Sequence, residues 1–200
     1  MLSYLALGDS YTIGEGVPAA ENFPHQTVKM LAGKGLQASQ PVIIARTGWT
    51  TDELAAAIRE RALHETFSFV TLLIGVNNQY RERTVENFRP EFTSLLNQAI
   101  VFANGHPRHV FVLSIPDWGV TPFAEGRNRA QIGHEIDAYN AACKEIALAH
   151  KCNFTDITDS TRANGDRPDF LAEDGLHPSG KEYAVWADRL AAAVWLVLKP

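Results

Sequence analysis

The sequence predicts an α/β protein, a parallel sheet of about five strands with helices over both faces. Three observations point there. Short apolar runs alternate with helix-period segments along the whole chain, the pattern of repeated strand–helix–strand units. The first three strands each stop at a turn that carries polar residues, the edge where open α/β sheets build ligand sites. The 200 residues are enough for one domain with a full core, and no repeat, low-complexity stretch or linker divides residues 1–200.

Leu2 to Leu7 reads as a buried strand that breaks at Gly8 and presents Asp9, Ser10 and Tyr11. Asn22 to Lys34 has helical spacing of Phe23, Val28, Leu31 and Ala32; Asn22 fits the cap, Pro24 the first turn, and Gly33 and Gly35 the end. Val42 to Ala45 is a short strand followed by Arg46-Thr47-Gly48-Trp49. Thr50 or Thr51 then caps a helix running to about Leu63. Phe67 to Ile74 is the most continuous apolar strand, and Gly75 ends it ahead of Asn77, Asn78 and Gln79. A helix spans about Val85 to Ala103, and a strand Val110 to Ile115. Pro116 to Arg129 lacks a period and reads as a long loop, its Trp118 and Phe123 favouring a functional one. Gln131 to Ala149 is an amphipathic helix, Phe154 to Ile157 a strand, and Thr158 to Leu176 a polar loop. Ser179 caps a last helix to about Leu198, whose Trp186 and Trp195 are expected in the core.

The net charge of -5 and the scattered arginines argue against a nucleic-acid partner. Cys143 and Cys152 are expected as reduced core residues. No apolar run reaches the length of a membrane span. With no basic leader and no cleavage site, the chain as given reads as cytoplasmic, although a trimmed export signal would leave the same start. His106 and His109 lack the third and fourth ligands of a zinc site. His25, His64, His134 and His150 lie in or beside helices and are expected at the surface.

Ser10 follows the first strand, Gly48 the second and Asn77 the third, so all three fall on one sheet edge. Asp174 and His177 sit in the loop before the last helix, which leads back to that edge. A serine hydroxyl is a poor nucleophile until a base takes its proton. An imidazole at His177 accepts and returns such a proton. A carboxylate three residues earlier, Asp174, holds the other ring nitrogen and steadies the imidazolium. The N–H groups of Ser10 and Gly48 and the amide of Asn77 supply donors for an oxyanion. Each residue alone has a plain reading: GDS as an Asx turn, Gly48 as a loop glycine, Asp174 as a solvated carboxylate. No serine lies in G-x-S-x-G, which excludes the ordinary α/β-hydrolase elbow.

GDSYT at Ser10, TG at Gly48, GVNN at Asn77 and DGLHP at Asp174 to His177 resemble, in order, the four blocks of the SGNH, or GDSL, hydrolases. The resemblance implies a flavodoxin-like three-layer α/β/α sandwich and a serine esterase or lipase without metal or organic cofactor. It assigns Ser10 as nucleophile, Asp174 and His177 as its triad partners, and Ser10, Gly48 and Asn77 as oxyanion donors. Asn78 stands where the family commonly has Asp. The pocket walls are expected to be Trp49, Asn78, Gln79, Tyr80, Trp118 and Phe123. The expected partner is a small ester, short-acyl or an acetylated carbohydrate, opened through an acyl-enzyme. The alternatives are a lysophospholipase or thioesterase, an acyltransferase using the same residues, or a non-catalytic flavodoxin-like binding module.

Overall fold

The apolar runs of the sequence form the strands of one sheet, and the computed structural model describes residues 1–199. The strands are β1 (Tyr4–Asp9), β2 (Val42–Arg46), β3 (Phe69–Leu73), β4 (Val110–Leu113) and β5 (Asn153–Thr155). They pair in parallel in the order β2-β1-β3-β4-β5, the flavodoxin-like doubly wound order. Every residue of β1, β3 and β4 is buried, as expected where helices cover both faces. In the register, Gly8 pairs with Ala45 of β2 and with Leu73 of β3. The three strands therefore end level, and the residues after them emerge side by side.

The described residues include eight α-helices: α1 (Ser10–Ile13), α2 (Phe23–Gly33), α3 (Thr51–Arg61), α4 (Val76–Tyr80), α5 (Val85–Phe102), α6 (Arg129–Ala149), α7 (Thr158–Asn164) and α8 (Gly180–Leu198). The last of them, α8, packs against α2, while α5 packs against both α3 and α6. The apolar stripe of α8 places Tyr183, Trp186, Leu190 and Val194 in the core, with Trp186 fully buried; Trp195 is only partly buried. Asn22 caps α2 by accepting the His25 N–H at 3.0 Å, as the sequence reading had it. Cys143 and Cys152 are buried free thiols. Among the described residues no helix is long and apolar enough to cross a membrane.

Two segments differ from the sequence reading. The expected loop over 116–129 contains short 3₁₀ turns at Trp118–Val120 and Pro122–Ala124, and Trp118 is buried. The expected loop over 158–176 begins with α7. Its first turn is capped from a distance: Ser114 Oγ accepts the N–H groups of Ile157 at 2.8 Å and Thr158 at 3.1 Å. A helix of seven residues held by a partner 44 positions away leaves little local pattern.

The turn out of β1 depends on the absence of a side chain at Gly8. A Cβ there would stand 2.1 Å from Thr12 Oγ1 and 2.5 Å from the Leu73 carbonyl oxygen of the neighbouring strand. Gly8→Ala is therefore expected to cost about 1–3 kcal/mol or more by overpacking. In a chain of this length each kcal/mol lowers Tm by roughly 2–4 °C. A thermal melt within a degree of the wild type would contradict the close packing described.

Candidate active site

Ser10 sits at the start of α1, where the chain leaves β1 and turns back. Asp9 caps this helix, its Oδ1 accepting the Tyr11 N–H at 3.1 Å. The Asx-type turn and an exposed-edge serine, competing readings in the sequence, thus coexist. Ser10 Oγ lies 2.9 Å from His177 Nε2. His177 Nδ1 lies 2.6 Å from Asp174 Oδ2. The other carboxylate oxygen of Asp174 accepts the N–H groups of Leu176 and His177, both at 2.9 Å. One short turn thereby orients both the carboxylate and the ring.

The electrostatics settle the tautomer. Partial burial works to raise the Asp174 carboxyl, but the hydrogen bonds from the His177 ring and from the two backbone N–H groups outweigh it. They hold the group below the ordinary carboxylate range. An ionised carboxylate only accepts, so the proton of a neutral ring belongs on Nδ1, and Nε2 is left to accept the Ser10 hydroxyl. The Tyr11 ring packs 5.1 Å from the imidazole and closes its inner side.

The turn after β2 brings in Gly48, whose φ of 81° lies in the left-handed region that suits glycine. The short helix after β3 brings in Asn77. Its Nδ2 donates to the Trp49 carbonyl at 3.0 Å and stands 3.5 Å from Asp9 Oδ2. A primary amide has two N–H groups. The Trp49 bond fixes the plane of the amide, and the second N–H makes the longer, weaker contact to Asp9 Oδ2.

A cavity of about 180 Å³ opens between these elements. Ser10, Gly48, Asn77 and His177 line it, with Tyr11, Thr47, Val76, Tyr80, Trp118, Phe123 and Leu176. Of the expected walls, Tyr80, Trp118 and Phe123 are there. Trp49, Asn78 and Gln79 are not. Trp49 contributes its carbonyl to Asn77 and is otherwise packed on the core. Asn78 is fully buried and clamps α3: its Oδ1 accepts the Thr51 N–H at 3.1 Å and its Nδ2 donates to Thr51 Oγ1 at 2.7 Å. An aspartate would accept the Thr51 N–H in the same way, but could keep the second contact only by accepting the Thr51 hydroxyl proton, which here goes to Glu91. Gln79 bridges Trp118 Nε1 and Glu135, both at 2.7 Å. Val76, Asn77 and Tyr80 of α4 line the cavity, while the amides of Asn78 and Gln79 are drawn away by Thr51 and by Trp118 and Glu135.

The sequence reading missed Tyr11, Thr47, Val76 and Leu176 as walls, and neighbours of the chemical residues were their only signal. Among the described residues no group of three or more His, Cys, Asp or Glu is placed to hold a metal ion. The His106 and His109 rings pair at 5.0 Å, remote from the site lining.

A serine, an imidazole and a carboxylate in one hydrogen-bonded line is the geometry of a serine hydrolase. Residues 6–185 match the model of the GDSL-like lipase/acylhydrolase family, and the chain belongs to it. It is a carboxylic ester hydrolase. The fold is shared with a lipase/acylhydrolase from Enterococcus faecalis at 21% identity and TM-score 0.77, covering 100% of this chain and 98% of that one. It is shared with Axe2, an acetylxylan esterase from Geobacillus stearothermophilus, at 19% identity and TM-score 0.75 over 96% and 94% of the two chains. The psychrotrophic esterase EstA from Pseudoalteromonas sp. is similar at 15% identity and TM-score 0.69 over 98% and 99%. No curated protein matches the chain significantly.

Under the site lies a second carboxyl with the opposite character. Asp9 is wholly enclosed, and burial pushes it up to about 7 from 3.8, against the pull of its backbone hydrogen bonds. The folded value lies above the unfolded one, so the native state keeps a proton that the unfolded chain releases. Asp9's own contribution to stability is then fully present below the unfolded value and declines as pH rises toward about 7. Asp174, held low, acts in a separate window: its contribution is lost only as pH falls below about 4. Asp9→Asn removes the ionisation, so its denaturant unfolding free energy is expected to fall less than the wild type's between about pH 5 and 7. Equal slopes for the two proteins would show that Asp9 does not titrate in that range.

Proposed function

We propose that the protein hydrolyses short-acyl carboxylic esters through an acyl-enzyme formed on Ser10. The observation that carries this reading is the unbroken line Ser10 Oγ, His177, Asp174, at 2.9 and 2.6 Å, on the wall of a cavity shared with Gly48 and Asn77. In acylation, Ser10 Oγ bonds to the ester carbon while its proton passes to His177 Nε2. The carbonyl electrons move to oxygen, where the N–H groups of Ser10 and Gly48 and the Asn77 amide meet the charge. As the intermediate collapses, the carbon–alcohol bond breaks and His177 returns the proton to the departing oxygen. Water then repeats the sequence on the acyl-enzyme, giving the acid and free Ser10. Asp174 keeps the ring in the right tautomer and steadies the imidazolium throughout.

The size of the cavity supports a short acyl group. About 180 Å³ is below the usual range of small-molecule pockets, roughly 300–1,000 Å³, and accommodates an acetyl or propionyl group more readily than a fatty chain. The exposed rings of Tyr80 and Phe123, 6.4 Å apart over the buried Trp118, offer an aromatic rim to a sugar or aryl alcohol. The shared fold with an acetylxylan esterase agrees with an acetylated carbohydrate as one such substrate.

A panel of acetyl, octanoyl and lysophospholipid esters tests the substrate class: kcat/KM is expected to be highest for the acetyl ester. A higher value for the octanoyl or lysophospholipid ester would replace the short-acyl reading by a lipid one. Carrying out the acetyl assay with competing alcohols separates hydrolysis from transfer.

Ser10→Ala and His177→Ala should each abolish most turnover, and the double variant should be little worse than either single one. Members of such a unit act together, with losses on the order of a million-fold in a well-studied enzyme of another fold. Additive losses would contradict a shared proton transfer. Asn77→Ala should lower kcat by about a hundred- to a thousand-fold with KM little changed, since the charge it meets exists only in the transition state. An early-melting Asn77→Ala that keeps its kcat would make the residue a structural one.

A further inference from the structure

The residues Thr47, Gly48 and Trp49 form a turn closed by the Trp49 N–H to Arg46 carbonyl bond at 3.3 Å. Gly48, left-handed and without a side chain, has little intrinsic preference for one orientation of its peptide. An oxyanion donor, however, must be aimed to within a few tenths of an ångström. The Gly48 N–H belongs to the Thr47–Gly48 peptide, so its aim follows from what holds the units around it: Thr47 Oγ1 donates to Glu15, the Trp49 carbonyl accepts from Asn77 Nδ2 at 3.0 Å, and Arg81 reaches the Gly48–Trp49 peptide between them. Its Nη2 donates to the Gly48 carbonyl at 2.6 Å, a short charge-assisted bond.

The other end of Arg81 is fixed just as directly. Its backbone N–H donates to the Asn77 carbonyl at 3.0 Å, closing the end of α4. Arg81 thus spans the two residues that bear the non-serine donors, by its main chain at Asn77 and by its guanidinium at Gly48. The guanidinium is itself steadied by Glu53, at 3.3 Å. Glu53 in turn accepts the Thr50 N–H at 2.9 Å, two residues beyond Gly48. The ion pair is about 40% to 45% exposed and so adds little to global stability. The geometry points to a local role.

We propose that Arg81 is a positioning residue for the oxyanion hole, holding the Gly48–Trp49 peptide, and with it the turn that presents the Gly48 N–H, in register with the Asn77 amide. This rests on the reading of Gly48 and Asn77 as oxyanion donors. Arg81 is absent from the lining of the cavity and acts through Gly48 alone. With the tether cut, the Gly48 N–H samples orientations that miss the developing charge, and ground-state binding is untouched.

Arg81→Met, which keeps the aliphatic length and removes the donors, is expected to lower kcat by between about ten- and a hundred-fold. KM should stay within about twofold and Tm within a few degrees. Arg81→Lys keeps a single charged donor and should recover part of the lost kcat. Arg83→Met is the control: Arg83 pairs with Asp52 at 2.5 Å and does not touch the turn, so kcat should match the wild type. An Arg81→Met enzyme with wild-type kcat, or one losing kcat with no recovery in Arg81→Lys, would overturn the assignment. The two readings fail differently. A wild type that turns over no ester, or a Ser10→Ala variant as active as the wild type, defeats the proposed function; an active wild type with a fully active Arg81→Met defeats only the clamp.

Discussion

One hydrogen bond, from Ser10 Oγ to His177 Nε2, joins positions 167 residues apart, and the rest of the architecture can be read as what holds its two ends in place. The serine end is set by the sheet. Its strand, β1, lies between β2 and β3, so the turns bearing Ser10, Gly48 and Asn77 leave one edge together. The histidine end is set by the return of the chain. The last helix, α8, packs on α2 with Tyr183 and Trp186 buried beneath the site, and the turn before it delivers Asp174 and His177. Tyr11 lies between the His177 and Trp186 rings, at 5.1 and 6.2 Å, and links this packing to the imidazole.

Two aspartates flank that bond, and their surroundings push them apart. Asp174 is partly solvated and accepts three hydrogen bonds, which keeps it ionised beside the ring. Asp9 is enclosed at the end of β1, and burial draws it toward the neutral form. Separation of this kind is how one site assigns different work to chemically equal groups. Asp174 has the charge that an imidazolium needs. Asp9 caps α1 and stands 3.5 Å behind the Asn77 amide.

Much of this was legible in the sequence because the strands are buried on both faces and therefore read as uninterrupted apolar runs. The five strands lie within two or three residues of their expected limits, and the five long helices start and end near theirs. The convergence of Ser10, Gly48, Asn77, Asp174 and His177 followed from strand order and from the resemblance of their blocks to one family. The short elements were not legible. At four to seven residues, α1, α4 and α7 are too brief to show a period, and distant partners such as Ser114 and Thr51 hold them. Asn78 and Gln79 lie off the cavity lining because partners distant in sequence, Thr51 for one and Trp118 and Glu135 for the other, engage their amides. Arg81 left no trace at all, since a partly exposed arginine becomes informative only when the carbonyl it meets is known.

The central claim is that the line through His177 activates Ser10. Covalent labelling by a fluorophosphonate, followed by peptide mass analysis, tests it most directly, because the reagent demands an activated hydroxyl and no particular acyl group. The account predicts one label per chain, on Ser10, forming at a rate that falls steeply in His177→Ala. An unlabelled wild type, or a label on Ser10 that forms equally fast without His177, would contradict it.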